Sequence, residues 1–335
     1  MEPIQLGSLE LWPFGLCAAG GALAALLWAC FRTRNADERR AVEIFALIAL
    51  PLGFGLARLI HCLCNLDWIQ DYFWETVLEF PGGGFLFYGA LLGMIPALWA
   101  ACRITRTSFA KMADLLAAPL LLFAAATVIG EGLAGAGYGW KVEDWFNPEN
   151  SMSLASLEDA SFFTRFPFAM TDPVYHYASW AVYLLIAAEL LVCTALTAFD
   201  RPGRPGGTAV KALALYSAIR ILYESLRQDD ILKWGFVRVN QIFGGATLLV
   251  LTVLCGAAAA RNADGKRISG RVTLSAVLFL LGLVLAGGME FALEGKIGFL
   301  EWMTMDVCYT FTTLGCALLF ASCEVLRRPA FGKER

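Results

Sequence analysis

Nine apolar stretches, each about long enough to cross a bilayer, constrain this chain more than any other feature: they lie near residues 11–32, 42–63, 84–102, 110–136, 176–199, 208–226, 238–260, 272–294 and 303–326. In hydrocarbon a spanning backbone must satisfy its own N–H and C=O groups, so these stretches are predicted to be helices. The expected fold class is an all-α polytopic membrane protein. Only 16% of the residues are charged, well under the roughly 25% of soluble domains. A net charge of −3 with no long basic run leaves little to neutralise phosphates along a polynucleotide, which excludes a nucleic-acid partner. The first partner is the bilayer.

Basic residues set the expected orientation. Of the 26 Lys and Arg, 18 fall in one set of alternate loops and six in the other, with Arg58 and Arg220 inside spans. By the positive-inside rule the N-terminus is expected outside and the C-terminus in the cytoplasm. No Lys or Arg precedes Arg32, so the first span lacks the basic start of a signal peptide and is expected to be retained. The longest loop, about 137–175, is external and aromatic (Trp140, Trp145, Phe146, Phe162, Phe163, Phe166, Phe168). Resting on the outer headgroups and folding as a cap are equally open readings. Glu290, Glu294, Lys296 and Glu301 read as a solvated external loop. Most of the ten cysteines sit in apolar runs, where a thiol acts as a small hydrophobe, and no disulfide framework is expected. Cys62 and Cys64 are close in sequence but lack further ligands, so no metal site is expected either. No internal repeat supports an inverted-repeat transporter.

Ionisable residues within spans are expensive and mark function by default. Counted from the cytoplasmic anchors at about 1.5 Å per residue, Arg58 and His61 of the second span, Glu131 of the fourth, and Arg220 and Glu224 of the sixth all fall in the outer half. Tyr88, Tyr177 and Gln241 do so from the opposite direction. Independent helices have no need to agree on depth, so a shared polar cavity open to the outer leaflet is expected. Tyr216, Arg220 and Glu224 follow at i, i+4 and i+8 on one helix face, where Arg220 and Glu224 can pair. A purely structural ion pair would explain those two alone; the shared depth favours a functional one. A guanidinium there is shaped to grip a lipid phosphate with two bonds. Gly83, Gly84 and Gly89 around the start of the third span fit either a cavity entrance or close helix packing. His61 fits a proton acceptor or an interfacial histidine, and His176 likewise.

Taken in order, these residues resemble the bacterial prolipoprotein diacylglyceryl transferase family over about residues 6–250. The carriers are LGSLELWPFGL, GLAR ending at Arg58, GGFLFYGALLG at 83–93, Asp114 and Pro119 in MADLLAAP, GLAGAGYG at 132–139, PVYHY at 173–177, YSAIRILYESLRQDD at 216–230, and Gln241. Each piece is weak alone; eight in the right order are strong. Several positions depart from the family pattern. Val128 stands where the family's signature carries arginine, Glu131 replaces an asparagine or cysteine, Tyr88 replaces a frequent histidine, and Tyr175 and Ala178 replace a Gln and a Glu.

The resemblance implies a seven-helix transferase core over residues 1–260, with residues 261–335 adding two transmembrane helices and a cytoplasmic tail. It implies residence in the bacterial inner (plasma) membrane and transfer of a diacylglyceryl group from phosphatidylglycerol to the lipobox cysteine of a prolipoprotein, whose signal peptide is a second partner. No cofactor or metal is implied. Tyr88, Arg220, Glu224 and His61 are the expected catalytic residues. Arg58, Tyr216, Glu131, Tyr177, Gln241, Gly83, Gly84 and Gly89 are expected to bind substrate. With the signature arginine lost, the alternative is a weakened paralogue that binds lipid or lipoprotein without transfer.

Overall fold

The computed structural model describes residues 4–6, 9–66, 70–78, 84–140, 169–171, 178–229, 232–262, 265–296, 298 and 302–332. Among them each of the nine apolar stretches forms one long helix: α1 Pro13–Arg32, α2 Ala36–Cys64, α4 Phe87–Thr105, α5 Phe109–Leu133, α6 Val182–Ala198, α7 Gly207–Leu226, α8 Val239–Asn262, α9 Gly265–Leu293 and α10 Met305–Phe331. A six-residue α3, Phe73–Leu78, lies between α2 and α4. Seven of the nine are long and apolar enough to cross a membrane by length and composition alone. The other two fall short for visible reasons. α6 has only 17 residues, and α7 carries Lys211, Arg220 and Glu224.

α7 tolerates those charges because protein surrounds it. It packs against α5, α6, α8 and α10, while α2 lies on α4, α1 on α5, and α9 on α10. Its start is capped from another helix: Asp114 of α5 accepts the N–H groups of Gly206 and Ala209 at 2.7 and 2.9 Å, occupying donors that a helix N-terminus otherwise leaves free. α2 opens on a local cap, with Asn35 accepting the Glu38 N–H and Glu38 accepting the Arg34 N–H, each at 2.8 Å. Arg32 lies 5.9 Å from the Trp28 ring and Arg103 5.3 Å from the Trp99 ring. Such cation–aromatic pairs suit a membrane–water boundary. At the opposite helix ends Trp12, Tyr72, Trp74, Trp234 and Trp302 are exposed, a second aromatic level.

The fold is all-α, with small additions in β-structure. Three short antiparallel hairpins, β1–β2 (Ile4–Leu6, Leu9–Leu11), β3–β4 (Ala169–Thr171, Ala178–Trp180) and β5–β6 (Lys233–Trp234, Val237–Arg238), precede α1, α6 and α8. Helix alternation puts all three at the end carrying Trp12 and Trp74. Irregular backbone is therefore concentrated where polar chemistry is expected. The solvated-loop reading of Glu290 is corrected: it lies in α9, 8% exposed, and accepts a hydrogen bond from Ser225. Glu294 and Lys296 are exposed, and Glu301 lies outside the described residues. Most of the 137–175 loop, with its cap and headgroup readings, also lies outside them. Trp140 is described, and its indole donates to the Tyr309 hydroxyl at 2.6 Å. All ten cysteines carry free thiols.

Candidate active site

A cavity of about 700 Å³ runs between α1, α2, α4 and α5 and reaches α7. Its trunk is apolar, lined by small and aliphatic residues such as Ala22, Leu26, Val42, Ala49, Leu116 and Leu120. Along α1 the lining extends from Phe14 to Ala29, about 22 Å at the helical rise per residue. That length and lining suit acyl chains. One end differs: His61, Glu131, Tyr216, Arg220, Arg227, Asp229 and Asn240 meet there.

The polar end is built on the last two turns of α7. Arg220 and Glu224, 5% and 0% exposed, pair at 2.5 Å, and the Asn240 amide donates to Glu224 Oε1 at 3.1 Å. Arg227 follows one turn on. Its Nε and one terminal nitrogen bond the two Asp229 oxygens at 3.0 and 2.6 Å, and its other terminal nitrogen stands 3.3 Å from Glu131 and 3.8 Å from Glu224. Burial alone would push the Asp229 carboxyl up, yet its bonds from Arg227 and from the Gly137 N–H hold it below the usual carboxylate range. The residues form a paired cluster of two guanidinium groups and three carboxylates, in which both guanidinium groups line a largely apolar cavity.

The expected residues separate into three groups. His61, Glu131, Tyr216, Arg220 and Gly84 line the cavity. Five stand behind it or pack elsewhere. Glu224 orients Arg220 from a fully buried position. Tyr88 is 3% exposed, its hydroxyl 3.4 Å from Ser217 Oγ and its ring stacked on Phe243. Gln241 accepts the Arg238 N–H and donates to the Ile221 carbonyl. Arg58 donates to the Thr76 carbonyl at 2.7 and 3.1 Å and to the Gly84 carbonyl at 3.3 Å, so its guanidinium clamps the α2–α4 connection. Gly89 serves close packing, since a Cβ there would meet the Leu56 carbonyl oxygen at 2.6 Å. Gly84 combines both roles: its φ of +72° favours glycine, and a Cβ would press on Arg58 and His61 at 2.7 Å. Tyr177 and Gly83, the remaining two, lie outside the described residues, as does His176.

Arg227, Asp229 and Asn240 were missed. Arg227 falls among the loop cations and inside the family-like run at 216–230 without being named a site residue, although its signal is present: 216, 220, 224 and 227 continue one face, because 11 residues are close to three full turns. Asp229 and Asn240 had no such signal. Asp229 reaches the site from the connection between α7 and α8 and Asn240 from the first turn of α8; the helical spacing of α7 describes neither.

Comparison with known proteins bears on the same region. A family profile described as prolipoprotein diacylglyceryl transferase matches residues 2–257. Proteins named phosphatidylglycerol–prolipoprotein diacylglyceryl transferase are similar to the chain. The one from Listeria innocua is 25% identical over 257 residues, covering 75% of this chain and 86% of its own length. That from Symbiobacterium thermophilum is 27% identical over 253 residues, with 75% and 90% covered. That from Clostridium kluyveri is 25% identical over 253 residues, with 72% and 91% covered.

Proposed function

We propose, from the premise that the chain belongs to the prolipoprotein diacylglyceryl transferase family, that it transfers a diacylglyceryl group from phosphatidylglycerol to the lipobox cysteine of a secreted prolipoprotein. The observation that carries this reading to these residues is the cavity, whose apolar trunk ends at Arg220 and Arg227. It matches an anionic lipid in both its parts: acyl chains along the trunk, phosphate at the guanidinium end.

The reaction breaks the bond between the diacylglyceryl carbon and a phosphate oxygen. The electron pair leaves with glycerol phosphate, the cysteine sulfur forms the new thioether, and the thiol proton must go to a base. Arg220, oriented by Glu224, and Arg227, oriented by Asp229, hold the phosphate and stabilise the charge gathering on the leaving oxygen. Val128, which lines the cavity where the family has arginine, contributes only an apolar wall. Of the carboxylates on Arg227, Glu131 is the most exposed, its side chain 31% accessible against 8% for Asp229 and 0% for Glu224. Its pair with Arg227 is thus the easiest to open. An arriving phosphate displaces Glu131 from Arg227, and the freed carboxylate accepts the thiol proton; that uptake also removes its repulsion with the phosphate. His61 stands at the same end as a second proton carrier. Tyr88, Gln241 and Arg58 act as positioning residues, through α7, the Arg238 turn and the α2–α4 connection respectively.

The lysine- and arginine-rich helix ends face the cytoplasm in this reading, which opens the polar end toward the outer leaflet. A reporter fused after Arg335 is then active only inside the cell; activity confined to the outside would reverse the orientation. The function itself is tested by depleting a host's own transferase and supplying this chain. Restored lipid modification of precursors is the expected result. A chain that reaches the membrane, keeps phosphatidylglycerol and restores nothing would be a lipid-binding paralogue.

A further inference from the structure

The family match ends at residue 257, which leaves α9 and α10 without an assigned role. They are nonetheless joined to the site. Ser225, between Glu224 and Arg227 on α7, donates its hydroxyl to Glu290 of α9. Its carbonyl, one of the last four of α7 and so without an intrahelical partner, accepts the Tyr309 hydroxyl of α10 at 3.1 Å. Glu290 is also bonded by the Gln241 side chain. Gln241 accepts the Arg238 backbone N–H at 3.1 Å, and the Arg238 guanidinium donates to the Arg227 carbonyl. Two routes therefore lead from Glu290 to Arg227, one along the last turn of α7 and one through the turn that follows it.

We propose that Glu290, seconded by Tyr309, is a positioning residue for Arg227, so that the C-terminal helix pair sets where the second guanidinium of the cavity stands. This rests on the reading of Arg227 as a phosphate ligand. Apolar packing already joins α10 to α7 and α8 through Leu319 and Leu326 with Ala218, Ile221, Leu248 and Leu251; adhesion between the helices does not require a carboxylate at the depth of the site. A buried carboxylate is expensive inside a membrane bundle unless its hydrogen bonds are made. Glu290 meets that condition only with Ser225 and Gln241 held in one geometry. Arg227 is the C-cap of α7: its N–H still bonds the Tyr223 carbonyl, but its own carbonyl has left the helical ladder and is held by Arg238. A displacement on the order of 1 Å at such a group can lower turnover about 100-fold.

The test uses the full chain with Glu290→Gln and Tyr309→Phe, each in the parent and in an Arg227→Lys background, after melting curves establish the folded fraction. Turnover per folded molecule and phosphatidylglycerol retention are both read. In the parent, Glu290→Gln is expected to lower turnover about tenfold and Tyr309→Phe by less, on the scale of couplings between residues of one network. In the Arg227→Lys background the same changes are expected to lower it less than about twofold, because the group they position has been replaced. Equal factors in both backgrounds would show Glu290 to be merely structural and overturn the proposal. Should the parent transfer nothing, the functional reading fails on its own, and the same cycle read on lipid retention decides the positioning role.

Discussion

Arg220→Gln is expected to reduce diacylglyceryl transfer by about 10²- to 10³-fold, the range for removing one preorganised donor from a developing negative charge, and to weaken phosphatidylglycerol retention with it. Arg220 lines the cavity and is aimed by Glu224, at 2.5 Å, which Asn240 in turn holds at 3.1 Å. Glutamine keeps some of the volume and a donor but loses the charge. Lysine keeps the charge but loses the planar fork, and should fall between glutamine and the parent. Arg220→Ala does something different. It leaves the fully buried Glu224 with no donor at all in place of the guanidinium and only Arg227, 3.8 Å away, as a cation, and stability should drop by about 3 to 5 kcal/mol. Melting in detergent separates the two effects. A well-folded Arg220→Gln protein that retains phosphatidylglycerol as the parent does would make the arginine structural and move the phosphate site elsewhere.

Arg227→Gln carries the second large effect, and here stability and activity fall together. The guanidinium holds both Asp229 oxygens, and Asp229 accepts the Gly137 N–H at 2.8 Å. Through that chain it ties the end of α7 to the turn that follows α5. Removing it strands a buried carboxylate, again a loss of about 3 to 5 kcal/mol, and frees Glu131 in the absence of any phosphate. Transfer should fall at least about 100-fold. Paired replacement of Arg227 and Asp229 by well-packed apolar residues should recover much of the stability, because both charges then leave the interior, but none of the transfer. Parent-like melting and turnover in Arg227→Gln alone would contradict both roles.

The helices were legible because hydrocarbon imposes one requirement on every span, and a length of apolar residues reveals it. α7 was legible for another reason. Its charges broke the apolar pattern at a helical spacing, and a broken pattern with a period is itself a signal. What followed α7 was not legible. Asp229 reaches the cavity from the connection after α7 and Asn240 from the start of α8, and no periodicity connects residue 229 to Gly137 or residue 240 to Glu224. Arg58 shows a different limit. Depth along a helix does not say which way a long side chain turns, and two backbone carbonyls hold its guanidinium at the α2–α4 connection. Glu290 was misread because polar neighbours on its C-terminal side suggested solvent, while its own partners, Ser225 and Gln241, are distant in sequence.

Mass analysis of a lipobox peptide incubated with the purified chain and phosphatidylglycerol tests the central claim most directly, because it reads the bond formed rather than survival of a cell. The expected result is a diacylglyceryl thioether on the cysteine, released glycerol phosphate in equal amount, and loss of both in folded Arg220→Gln. Tight retention of phosphatidylglycerol with an unmodified cysteine and no glycerol phosphate would contradict it.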